Sequence, residues 1–178
     1  ALEFIKADPS RFAYLVIRRA GYFMGLERRA LTYFYSNNFF GFINKTLLAL
    51  AALLLCLPFP IVITSGVAGL AFTKWRRELL LVILFMIGYI APHLFILAED
   101  RFHLSIVPFL SILAAYFLII DRRDFKERWQ ARSGKIGFVL AGLTINLLCV
   151  NWGLEIWSDA DKLALLFGPN GNITYFTY

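Results

Sequence analysis

The chain has 178 residues, 60% of them hydrophobic and 17% aromatic, with a mean hydropathy of +0.67. An ordinary soluble domain runs nearer about 45–50% apolar, so the soluble globular class is excluded. The net charge of +6 would suggest nucleic acid in a soluble protein; spread around apolar runs, it reads as membrane topology instead.

The chain opens on Ala1 with no basic, apolar, small-residue leader before the first apolar run, which reads as a processed or truncated chain. Residues 1–45 are basic and amphipathic. Asp8-Pro9 is a helix start, with Asp as the cap and Pro at the first helical position. At about 100° per residue, Arg11, Arg18 and Arg29 share one face, while Phe12, Val16, Phe23, Ala30 and Phe34 form a separate stripe. Gly21 and Gly25 are expected to break the run. The expectation is an interfacial helix, its apolar side in lipid and its basic side toward phosphates. Simple binding of lipid head groups by the arginines is the plainer alternative.

Four apolar runs follow, and the expected fold class is an all-α polytopic membrane bundle at residues 46–154. The spans are read at 46–72, 79–98, 102–120 and 136–154, each near the about 20 residues that a crossing helix needs. Pro58 and Pro60 should kink the first. Ser65, Gly66 and Gly69 suit close helix packing. Residues 74–78 and 121–135 hold most of the Lys and Arg that flank spans, so they are placed on the cytoplasmic side. Residues 1–45, 99–101 and 155–178 then fall outside, the last as an aromatic tail. Asn44-Lys45-Thr46 and Asn172-Ile173-Thr174 fit a short glycosylation pattern that is most often accidental.

Much chemistry is absent from the sequence. No phosphate-cradling glycine loop, zinc-ligand spacing or Gly-x-Ser-x-Gly elbow occurs. Cys56 and Cys149 lie inside apolar runs and report packing. His93, Asn146 and Asn151 read as interhelical hydrogen-bonding groups.

The turn between the second and third spans is different. Glu99, Asp100, Arg101 and His103 stand at the membrane surface, where charge beside hydrocarbon is a functional-site hypothesis by default. The planar guanidinium of Arg101 matches phosphate oxygens, and His103 is placed to donate to the same phosphate. Glu99 and Asp100 could pair with Arg101, orient it, or hold a divalent cation against the phosphate. A self-neutralised salt-bridge turn is the other reading.

The run Arg101-Phe102-His103-Leu104-Ser105-Ile106-Val107-Pro108-Phe109-Leu110-Ser111-Ile112-Leu113 resembles the Arg/Lys-Tyr-x-Leu-Pro-x-x-Pro-x-Leu-x-x-Leu segment of GT-C superfamily glycosyltransferases. These are polytopic enzymes that use polyprenyl-phosphate sugars, and the likeness is to the protein mannosyltransferase and aminoarabinose transferase branch. Phe102 replaces the commoner Tyr, and Ser105 stands where the first Pro is usual. Asp8-Pro9-Ser10-Arg11-Phe12 is similar to the family's extracytoplasmic interfacial helix. The resemblance covers only the C-terminal half of such an enzyme.

It implies transfer of a sugar from a polyprenyl-phosphate donor to an extracytoplasmic acceptor, with Arg101 and His103 handling the lipid phosphate. Arg18 and Arg19 are further candidates. Catalytic acids are implied on an N-terminal half or other membrane subunit, so these residues alone are expected to be inactive. No nucleic-acid partner is expected. The rival expectation is a non-enzymatic four-span accessory subunit of a larger membrane complex, its arginines bound to membrane lipids.

Overall fold

The computed structural model describes residues 2–28, 31, 43–74 and 76–169. Arg29, Ala30 and Phe34 of the amphipathic pattern lie outside the described residues, as do residues 170–178 with Asn172. Among the described residues the fold is all-α. In chain order the helices are α1 (Leu2–Ala7), α2 (Pro9–Phe23), α3 (Lys45–Cys56), α4 (Pro58–Phe72) and α5 (Arg77–Phe95). A 3-10 helix (Asp100–Ser105) leads to α6 (Val107–Ile119), α7 (Arg122–Gln130), α8 (Arg132–Ser158) and α9 (Ala160–Leu166).

Helix α2 starts as its sequence dictates. The Asp8 carboxylate accepts the Arg11 N–H at 2.9 Å with Pro9 behind it. It ends at Phe23, where Met24 caps it ahead of Gly25. One expectation is corrected here. The apolar stripe of α2 is turned onto the bundle: Phe12 stacks on Phe95 at 6.1 Å, and Phe23 is fully buried. Burying Phe23 among Phe59, Ile106 and Trp152 brings it aromatic and aliphatic contacts on several sides.

Among the described residues three helices are long and apolar enough to cross a membrane: Lys45–Phe72, Arg77–Phe95 and Arg132–Ser158. The first is α3 running into α4. Pro58 and Pro60 each lack an N–H, and the chain bends at Leu57, which caps both segments. The expected third span, residues 102–120, runs from one end of the bundle to the other but is not a single helix of crossing length. It is the 3-10 helix followed by the 13 residues of α6, whose rise of about 20 Å falls short of a hydrocarbon core of about 30 Å. Pro108 explains the division, because its ring opposes helix in the residues before it. The Tyr89 hydroxyl bonds Ser105 Oγ at 2.9 Å and braces the 3-10 segment.

Parallel helices α4 and α6 form the spine. Gly66 and Gly69 let their backbones meet: a Cβ at Gly66 would lie 3.0 Å from the Leu110 carbonyl oxygen, and one at Gly69 would collide with that of Leu113. Helices α5 and α8 run the opposite way. At one end Arg128 of α7 donates from Nε to Phe72 O (3.1 Å) and from Nη2 to Thr73 O (2.5 Å), tying the 121–135 stretch to the 73–76 loop. The two basic loops therefore share an end, and Phe72, Phe125 and Phe138 pack between them. The opposite end gathers α2, the 99–105 turn and the close of α8.

Candidate functional site

At the end opposite the basic loops, Gly21 to Arg28 leaves α2 and crosses the mouth of the bundle. As at any helix end, the last carbonyls of α2 and the N–H groups beyond it lack helical partners, and buried backbone polar groups need partners. Side chains from other elements supply them. His103 donates from Nδ1, in the tautomer that carries hydrogen there, to Phe23 O at 3.0 Å. Trp152 Nε1 donates to Met24 O at 2.8 Å. Asn151 Nδ2 donates to Gly21 O at 3.1 Å, and Glu155 Oε2 accepts the Leu26 N–H at 3.0 Å. Glycine is needed where these groups approach: a Cβ at Gly25 would stand 2.7 Å from Glu155 Oε1.

Charge is concentrated in the same place. Glu155 is only 8% exposed; Arg28 Nε lies 3.6 Å from its Oε2 and also pairs with Asp159. Such pairing offsets the heavy cost of burying a carboxylate. Asn151 was expected as interhelical glue and serves so. Glu155, Arg28 and Trp152 were not singled out in advance. Asn151, Trp152 and Glu155 fall at i, i+1 and i+4 at the end of an apolar span, and that spacing was the available signal.

The expected phosphate residues lie at this end without forming one cluster. Arg101 is exposed, with Nε 2.7 Å from Glu99 Oε2 and its guanidinium 5.6 Å above the Phe102 ring. The Asp100 side chain lies outside the described residues. His103 is fully buried. Its ring stacks on Phe59 at 3.4 Å, and Nε2 stands 3.3 Å from Glu27 Oε1 without hydrogen-bond alignment. A shared phosphate therefore does not fit this geometry, since Arg101 faces outward and His103 is sealed among Phe23, Phe59 and Glu27.

Arg18 donates from Nε to the Tyr22 hydroxyl at 2.7 Å. Arg19 donates from Nη1 to Phe95 O at 2.6 Å and so caps the C-terminus of α5. His93 sits 3.3 Å from Leu97 O and stacks on Phe102 at 4.5 Å. Among the described residues no group of three or more His, Cys, Asp or Glu is arranged to hold a metal ion.

Below the α2 segment lies an apolar cavity of about 520 Å³ between α5 and the α4–α6–α8 core. Ile17 and Met24 line it from the α2 segment, Ile63 from α4, Ile87 from α5, Leu110 from α6 and Leu147 from α8. Its volume is in the range of small-molecule sites, and its walls suit a hydrocarbon chain. The class defined is thus an all-α chain with membrane-length helices and a polar cluster at one end. Comparison with family models, curated proteins and solved structures finds no match.

Proposed function

We propose that this chain is the C-terminal membrane portion of a glycosyltransferase that moves a sugar from a polyprenyl-phosphate donor to an extracytoplasmic acceptor. Arg101 handles the lipid phosphate. In this reading, residues 74–78 and 121–135 are cytoplasmic, and the Arg101 end is outside. The observation that carries it is an exposed guanidinium oriented by Glu99, at the same end as a chain-sized apolar cavity. The likeness of residues 101–113 to the family segment adds support.

The leaving group of such a transfer is a lipid phosphate, so negative charge grows on its oxygens as the sugar departs. A fixed cation at that place lowers the barrier. Glu99 partly neutralises Arg101 and aligns its fork; an arriving phosphate takes the free face. Arg18 and Arg19 of α2 supply further positive charge over the cavity. His103 serves as a positioning residue, holding Phe23 O and hence the α2 segment that lines the cavity. The general base that activates the acceptor belongs to partner segments.

Binding of a fluorescent polyprenyl phosphate to the purified chain in nanodiscs tests this. Arg101→Ala should weaken it about 10-fold or more, as expected for loss of a hydrogen bond to a charged group. Arg123→Ala, at the other end, should leave it unchanged. Equal affinity in wild type and Arg101→Ala would sink the proposal. A second reading, a non-enzymatic accessory subunit, draws on α5, none of whose 19 residues is buried. That surface suits helices of a larger membrane complex, and unchanged binding by Arg101→Ala would favour it.

A further inference from the structure

The basic end of the bundle holds a second cavity, of about 360 Å³, between the start of α5 and the outer half of α6. Leu79 and Val82 line one side, Phe109 and Tyr116 the other, and Lys74 and Arg76 stand at the mouth. The interior is hydrocarbon in character, and the rim carries two cations, Lys74 and Arg76, against the single Glu78 carboxylate. Only an amphiphile satisfies both.

The charges at this rim are available. Arg128 is engaged by the Phe72 and Thr73 carbonyls, and Arg123 lies 3.6 Å from Glu127. Lys74 and Arg76 are exposed, and among the described residues neither makes an ion pair or a hydrogen bond. Lys74, Arg76 and Arg77 against Glu78 leave the loop at a formal +2, and the neighbouring 121–135 stretch adds a formal +3. Helix α5 begins here with no side chain capping it, so the N–H groups of its first turn are further donors for an anion. Basic pockets between membrane helices are suited to anionic lipid head groups.

We infer that this cavity is a binding site for an anionic glycerophospholipid. Its phosphate lies on Lys74, Arg76 and the first turn of α5, and one acyl chain runs between α5 and α6. A zwitterionic lipid would bring a choline or amine against the same cations and is disfavoured. The site is at the opposite end from Arg101 and does not rest on the polyprenyl reading.

The test uses the full chain in mild detergent, titrated with phosphatidylglycerol or phosphatidylcholine of identical acyl chains, with retained lipid counted by native mass spectrometry. One phosphatidylglycerol should be held at least 10-fold more tightly than phosphatidylcholine. Lys74→Ala combined with Arg76→Ala should abolish that preference, and Lys162→Ala, a half-exposed cation beyond the far end of α8, should leave it intact. Val82→Trp, which fills the cavity and keeps every charge, should reduce retention at least 5-fold. Equal retention of the two lipids, a preference that survives the Lys74→Ala and Arg76→Ala combination, or undiminished retention by Val82→Trp would each overturn the inference, the last by showing surface adsorption in place of a cavity site.

Discussion

Glu155 joins three parts of the chain with one carboxylate. Oε2 accepts the Leu26 N–H and faces Arg28, while Oε1 lies 3.4 Å from the Asn151 amide. Removing one member of a buried charge pair costs about 3–5 kcal/mol, because the other is left without compensation. Glu155→Ala should therefore lower the unfolding temperature in detergent markedly, and Glu155→Gln, which keeps an acceptor, should lower it less. Equal losses would mean that packing rather than charge governs the site. Glu155 was legible only as an acidic residue beyond a span. Its partners are backbone atoms 129 residues away, which no local pattern announces. Arg101 was legible because its partner Glu99 is two residues off. His103 misled for the opposite reason: adjacency to Arg101 suggested a shared ligand, while a long-range stack on Phe59 turns it inward.

Among elements, α2 was the most readable, since its start depends on adjacent residues. Asp8 is held below the usual carboxylate range, first by the Arg11 backbone N–H and then by the Ser10 hydroxyl. A lowered native pKa means the cap contributes fully above the unfolded value of about 3.9 and is lost as pH falls through the lower folded value. Amide exchange at residues 10–12 should thus be flat from pH 8 to 5 after correction for intrinsic rates. It should rise only below about pH 4, and Asp8→Ala should remove that transition. The division of the 102–120 run was not legible because hydropathy reports composition and is blind to hydrogen-bond pattern. Ser105 and Pro108 carried the information, the first through Tyr89 and the second through its ring. The destination of the α2 stripe was not legible, because lipid and protein interior look alike to an apolar side chain.

At the scale of the molecule, the α4–α6 seam is the most closely packed part of the bundle, and α8 packs antiparallel on α4 beside it. The Leu113 carbonyl that faces Gly69 is backbone and cannot swing aside. Gly69→Ala should cost about 1–3 kcal/mol through overpacking and lower the thermal midpoint. Gly88→Ala, with nothing within 4 Å of its added carbon, should be neutral or slightly stabilising. Similar effects at both sites would mean the seam is not close-packed.

Helix α5 has 19 residues and α8 has 27, rises of about 28 and 40 Å. Fitting both between the same two membrane surfaces would require α8 to lean about 45°, beyond the usual tilt range of about 0–40°. In a bilayer that α5 just spans, some of the length of α8 would therefore project beyond the hydrocarbon. The uncharged stretch of α8, Ile136 to Leu154, is as long as α5, and the turns beyond it carry Arg132 and Lys135 below and Glu155 above. Helix α8 is thus a post whose two protruding ends bear its only ionic groups, and the clamp on Gly21–Arg28 stands on one of them as on a plinth.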